Sequence, residues 1–203
     1  MRRIFSACAS VVLLGAFLLV RHVSAFDKSV LVAPENGAMV AFIQNDKVDR
    51  KMVFTVFESD RRCVAEVGGR QVEVLPLDPE PLIFYVTGYN NTRRIEIYPE
   101  AGRTYFVRLH TVQKSMGAAP EVTLVRRATE AHMQLRFWLE GAFVTHALKD
   151  EQCYGRPLKE RNNRTQRRLN EANAEWKNAD DAYRDRYTLI ERDGLTAEDI
   201  ELF

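Results

Sequence analysis

Apolar and polar residues alternate at every second position through much of the chain before residue 127. The pattern is plainest from Arg93 to His110, where Ile95 and Ile97 share a face before a break and Tyr105, Val107 and Leu109 share one after it. Pro99-Glu100-Ala101-Gly102 forms the break, with Gly102 free to take a positive φ. The expectation is a β-hairpin with one buried face, set among strands of the same sheet.

The neighbouring segments supply those strands. Lys28–Val32 reads as an edge strand, and Pro34-Glu35-Asn36-Gly37 as a turn. Ala38–Gln44 sets Met39, Ala41 and Ile43 against Val40 and Phe42, and the polar Asn45–Arg50 reads as a loop. Met52–Glu58 is the richest run of β-branched and aromatic residues. Ser59–Arg62 turns the chain into Cys63–Val67, and Gly68-Gly69 is a two-residue hairpin break before Gln71–Leu75. Pro76, Pro79 and Pro81 stiffen a linker through which no central strand is expected to run. Leu82–Val86 resumes the alternation, Ser115–Pro120 is a small-residue loop, and Glu121–Arg126 is a last strand. Roughly eight or nine short strands spaced by turns predict a mainly β fold. Their clean alternation favours an antiparallel β-sandwich, of immunoglobulin or transthyretin style, over residues 26–127.

The period changes near residue 128. Thr129 can cap a helix from Glu130 to Glu140 with Ala131, Leu135, Trp138 and Leu139 on one stripe and Gly141 as its stop. The same residues also alternate as a strand through Met133, Leu135, Phe137 and Leu139, and length with the glycine stop favours the helix. Ala142–Leu148 is an extended apolar segment, completing a connector over 128–155. From Asn163 to Leu189, Leu169, Ala172, Trp176, Ala179 and Tyr183 recur at helical spacing, predicting an amphipathic helix within a C-terminal extension of residues 156–203. Asp193-Gly194 ends it, and Thr196 can cap a last turn.

The N-terminus sets the compartment. Arg2 and Arg3, an apolar run from Ile4 to Val20, and Val23-Ser24-Ala25 have the order of a secretory signal peptide, cleaved after Ala25. An uncleaved single-pass anchor also fits, since the run nears the lower limit for a span and Arg21 is unusual for a cleavage region. The expected location is the periplasm or extracellular space, with no span after cleavage. The formal charge of +1 argues for neither nucleic acid nor an anionic membrane surface as a bulk partner, and removing residues 1–25 takes it to −2. Cys63 and Cys153 then remain, an even pair that predicts one disulfide or two separate buried thiols. The bridge would close a loop of about 90 residues, worth about 4–5 kcal/mol in the chain-entropy picture.

Charge along the tail is polarised. Arg156 to Arg168 holds six basic residues and one acid, whereas Asp180 to Glu201 holds eight acids and three bases. On one continuous helix both trends oppose the dipole. That arrangement suits an antiparallel second copy or a docked protein, and Arg164, Arg167, Arg168, Asp180, Asp181 and Asp185 are the candidate partner surface. A solvated face with no partner is the plainer alternative.

Catalytic motifs are sparse. The chain has no nucleophile elbow, zinc-protease motif, phosphate loop or dinucleotide fingerprint, so no cofactor is expected. His110, His132 and His146 lack metal-ligand spacing. Ser115 follows His110 in the next loop, which leaves a small exported hydrolase as the competing class. Asn90-Asn91-Thr92 and Asn163-Arg164-Thr165 match the glycosylation acceptor pattern, relevant in a eukaryotic source.

Three strings taken together resemble a family of bacterial exported domains. They are Pro34-x-x-Gly37-Ala38-x-Val40-x-Phe42, Phe54-x-Val56-Phe57, and Ala101-Gly102-Arg103-Thr104-Tyr105-Phe106-Val107-Arg108. The family consists of small envelope β-sandwiches similar in style to PEGA-type modules, many of them lipoproteins. The resemblance covers residues 30–127, and it implies an envelope β-sandwich without an assigned activity. This chain departs from it in lacking a lipid-attachment cysteine, since Cys8 lies inside the apolar run. Sequence and resemblance together lead to a non-enzymatic binding or assembly module of the cell envelope.

Overall fold

A computed structural model describes residues 27–45, 52–88, 91–114, 117–146 and 158–203. Their strands are β1 (Ala38–Gln44), β2 (Val53–Glu58), β3 (Cys63–Gly68), β4 (Gln71–Leu77), β5 (Leu82–Gly88), β6 (Asn91–Ile97), β7 (Thr104–Lys114), β8 (Gly117–Val125), β9 (Phe143–His146) and β10 (Thr188–Leu189). They form two five-stranded sheets, ordered β8-β7-β1-β4-β9 and β10-β6-β5-β2-β3. The sheets pack face to face as a sandwich. Val40, Phe42, Tyr105, Val107 and Leu109 of the first sheet are buried with Phe54, Val56, Phe84, Val86, Ile95 and Ile97 of the second. Phe42 meets Phe84 edge to face at 5.6 Å.

The sheets are mixed. β1 runs parallel to β7, β9 to β4, and β10 to β6, while the remaining pairs are antiparallel. The parallel contacts join segments distant in sequence, which local alternation cannot register.

Two expected hairpins are corners between the sheets. Ile95 and Ile97 point into the core from the second sheet, and Tyr105, Val107 and Leu109 point into it from the first. Residues 98–103 therefore carry the chain across the sandwich. Gly102, at φ 74°, donates its N–H to the Gly37 carbonyl at 2.8 Å. The fully buried Tyr105 accepts the Glu100 N–H at 2.9 Å and donates to the Glu191 carbonyl at 3.1 Å, fixing the corner from inside. Gly68-Gly69 likewise lies where the chain leaves the second sheet for the first. Here Gln71 and Gln44 side-chain oxygens accept the Gly68 and Arg70 N–H groups at 2.8 and 3.0 Å.

Both unexpected prolines sit where a strand lacks a neighbour. β4 continues over Pro76, opposite Met39, because β9 pairs only with Gln71 to Val74. β8 begins at Gly117 and carries Pro120 opposite Thr111 on the outer edge of its sheet. Lys28–Leu31 is a 3-10 helix rather than an edge strand, since the Asp27 carboxylate accepts the Ser29 N–H at its start.

The first sheet's outer face is closed by α1 (Glu130–Leu139), capped by Thr129. Leu135, Trp138 and Leu139 pack on Met39, Ala41, Ile43 and Phe106, while Met133 and Phe137 are 71% and 68% exposed. The helical stripe thus prevails over the strand alternation. All seven residues of β1 are buried because both of its faces are covered.

The C-terminal segment belongs to this architecture. It comprises α2 (Leu158–Asn178), α3 (Asp181–Arg186), β10 and α4 (Ala197–Glu201). β10 lengthens the second sheet, with Tyr98 N–H donating to the Leu189 carbonyl at 2.9 Å and Glu96 N–H to that of Tyr187 at 3.0 Å. Leu195 and Thr104 exchange both backbone hydrogen bonds at 2.9 Å, tying the same segment to the first sheet. Ile200 of α4 is fully buried in the outer cluster beside Leu135 and Leu31.

Candidate functional site

The candidate partner surface lies on α2 and α3. The inner stripe of α2 packs Leu169 and Ala172 on Phe57, Cys63 and Tyr85 of the second sheet's outer face. Beside them the Arg94 guanidinium stacks 4.9 Å above the Trp176 ring. Arg94 also donates to the Asn173 side-chain oxygen at 2.7 Å, which accepts the Tyr85 hydroxyl at 2.8 Å, and it pairs with Glu96. These contacts leave Asn163, Arg164, Arg167, Glu171, Ala174 and Lys177 exposed along the opposite side.

The expected single helix from Asn163 to Leu189 is broken at residues 179–180. Asp180 accepts the Tyr183 N–H at 2.8 Å and starts α3 in a new direction. Arg184 donates to the Trp176 and Lys177 carbonyls, both at 3.2 Å, and so satisfies the last turn of α2. The break removes the inverted polarity from the acidic half. Asp180 and Asp181 stand at the N-terminus of α3, and Glu198 and Asp199 in the first turn of α4, all as helix dipoles favour. The basic residues remain in the N-terminal half of α2.

The six candidate residues thus form two groups, Arg164, Arg167 and Arg168 on α2 and Asp180, Asp181 and Asp185 at the start of and along α3. Arg164 and Arg167 are exposed on α2, Arg167 with Glu171 at 3.6 Å, and Arg168 is half-buried. Asp181 lies 3.5 Å from Arg184 and Asp185 3.2 Å from Arg126, so both acids have intramolecular cations.

Between these groups a polar-aromatic seam closes one open side of the sandwich. Trp176, Tyr183 and Tyr187 step along it with ring centroids 6.4 and 4.9 Å apart. The Tyr187 hydroxyl donates to Glu121 at 2.7 Å, and Arg93 lies over the Tyr187 ring at 5.9 Å and against Glu175 at 3.2 Å. Burial alone would raise Glu121, but hydrogen bonds from Tyr187 and Val122 and the charges of Arg93 and Arg186 hold it below its ordinary value. Burial and the neighbouring Glu121 push Tyr187 up to about 12.

The other open side holds a buried acid. Glu73 of β4 is 1% exposed and accepts the Thr145 hydroxyl of β9 on Oε2. Its Oε1 is buried without a hydrogen-bond partner. Burial pushes the carboxyl up to about 7 against the lowering effect of Thr145.

The remaining candidates are dispersed. His110 Nε2 lies 2.9 Å from Thr123 Oγ1 across β7 and β8, and Ser115 falls outside the described residues. His132 accepts the Ala128 N–H at 3.2 Å and meets the Phe203 ring at 5.9 Å, and His146 stands in register with Val74. Among the described residues no three His, Cys, Asp or Glu side chains converge as metal ligands. Cys63 is buried beneath α2 at 2% exposure, while Cys153 lies outside the described residues. Of the acceptor sequences, Thr92 is buried with its hydroxyl 3.1 Å from that of Thr87, Asn90 lies outside the described residues, and Asn163 is exposed. No helix among the described residues is long and apolar enough to cross a membrane.

Sequence reasoning did not find Glu73, the Arg94–Asn173–Tyr85 group or the Tyr187–Glu121 pair. Glu73 alternates with Val72 and Val74 as a solvated residue would, and nothing local shows that its side faces the core. The other two join residues 66 to 88 positions apart. No family model matches the chain, and no curated protein matches it.

Proposed function

We propose that the chain is exported, loses residues 1–25, and serves as a non-enzymatic binding or assembly module of the cell envelope, akin to the exported β-sandwich family its strand motifs resemble. The observation that carries this reading is the division of labour on α2. Leu169, Ala172 and Trp176 hold the helix to the sandwich, while Arg164, Arg167, Glu171 and Lys177 remain exposed on the other side. This exposed, mainly basic side favours a protein partner of complementary charge, either another envelope protein or a second copy of this chain. Cys63, buried below the same helix, is proposed to pair with Cys153, which would hold the chain leading into α2 against the sheet.

Deleting the tail cannot test this, because Tyr187, Leu189, Leu195 and Ile200 are core residues. The test is a charge-reversed pair, Arg164→Glu with Arg167→Glu, whose thermal unfolding is first shown to match the parent. Sedimentation and cross-linking in the native envelope then read association. Loss of a self-complex or a cross-linked partner in the variant is expected, and unchanged association would refute the assignment. N-terminal sequencing of the exported protein should begin at Phe26, whereas an intact leader would mean an anchored protein.

A further inference from the structure

We propose that β9 is a proton-dependent clasp: a neutral Glu73 lets the strand stay seated on β4 over the buried carboxyl, and loss of that proton frees it. Strand β9 is short, Phe143–His146, and among the described residues lies at the end of its sheet, paired in parallel with β4 alone. Its Thr145 hydroxyl donates to Glu73 Oε2 and lies 3.5 Å from the Val72 carbonyl. An ionised carboxylate has about four acceptor positions to satisfy. Here the second oxygen is buried and receives no hydrogen bond, so the charged form is held in a site suited to the neutral acid.

The surroundings offer little to offset a negative charge. β1 sets Phe42 directly opposite Glu73, and along β4 itself Gln71 and Leu75 flank it on the same face. The Gln44 side-chain oxygen is engaged by the Arg70 N–H at the corner. From the facing sheet β3 contributes Ala65 and Val67, both fully buried, while Glu66 between them alternates to the other face. Arg70 is the nearest cation along the chain. Its guanidinium lies so close to Gly141 that a Cβ there would come within 2.7 Å, on the α1–β9 corner. His146 stands in register with Val74 rather than Glu73. The elevated carboxyl, at about 7, agrees with this geometry. Because the folded value lies above the ordinary 4.5, the stabilisation is complete below about pH 4.5 and is lost as pH rises through 7. Opening β9 hydrates Glu73, so the loss falls first on this edge strand.

Hydrogen exchange tests the clasp. The Phe143 N–H, which donates to the Arg70 carbonyl at 2.8 Å, and the other β9 amides report strand opening once corrected for intrinsic exchange. Between pH 5 and pH 8 their opening constant is expected to rise on the order of a hundredfold, while amides of β1 and β2 change far less. In Glu73→Gln, which keeps the shape and removes the charge, the β9 response should be flat. A flat wild-type profile, or a response that survives in Glu73→Gln, would overturn the proposal. Should that variant fail to fold, carbon-detected titration of Glu73 in the wild type decides: a midpoint near 7 supports the clasp, and one below 5 refutes it.

Discussion

Leu189→Ala tests whether the C-terminal segment belongs to the sandwich. Leu189 is fully buried, stands in register with Ile97 through β10, and lies in the cluster that fills the space between the sheets. Truncating it removes buried methyl groups and leaves a cavity bounded by both sheets, so a loss of about 3 kcal/mol is expected, within the usual 2–5 for such sites. A residue on a detachable appendage would cost about 0.5 kcal/mol or less. Urea unfolding of the chain from residue 26 measures the difference. Its two tryptophans lie apart, Trp138 on the first sheet's outer face and Trp176 in the seam at one open side of the sandwich. Fluorescence of single-tryptophan variants should therefore give one shared midpoint, lowered equally by Leu189→Ala. Separate midpoints, or a change below about 1 kcal/mol, would mean that Leu189 lies outside the cooperative core.

Two further predictions concern the seam and the corner. Tyr187→Phe leaves Glu121 without its 2.7 Å donor and should cost about 1–3 kcal/mol at neutral pH. Because Glu121 is depressed in the fold, its contribution is present above its ordinary value and lost as pH falls through the folded one, so Tyr187→Phe should shrink the acid-side loss seen in pH-dependent melting. Gly194→Ala should cost more than Gly102→Ala. A Cβ at Gly194 would sit 2.7 Å from the Tyr105 ring and 2.8 Å from Arg103 Cβ, whereas Gly102, at φ 74°, has open space and faces only a backbone penalty of about 1–2 kcal/mol. Urea midpoints rank the pair, and the reverse order would contradict the packing at the corner.

The burial of residues was more legible than their partners. Alternation correctly placed Ile95, Ile97, Tyr105, Val107 and Leu109 inside, because a period of two reports which side is covered. It carries no record of which strand lies alongside, so two corners looked like hairpins. Thr129, the stripe ending at Leu139 and Gly141 marked α1 because cap, period and stop agreed locally. The stripe on α2 was equally clear, yet Ala179 and Tyr183 kept the helical spacing across a break that the Asp180 cap imposes. Pro76 misled because a proline bars only a strand with neighbours on both sides, and the small residues before Pro120 hid an edge strand. β10 has two residues, too few for any period, and it joins the sheet through Ile97, a residue remote in sequence. Of the candidate surface, the exposed side of α2 could be read from its polar positions. The cation facing Asp185 could not, because Arg126 is remote in sequence, whereas Arg184 stands only three residues beyond Asp181 on α3.

The C-terminal segment ties the two sheets together through β10 and the Leu195–Thr104 pair, so the sheets should unfold as one cooperative body. Native-state hydrogen exchange of the reciprocal Thr104 and Leu195 amides measures it most directly, since each donates to the other's carbonyl at 2.9 Å. The prediction is that both exchange only through global unfolding, with the same opening free energy as the β1 amides and the same denaturant dependence. Exchange of these two through a cheaper opening that leaves β1 protected would contradict it.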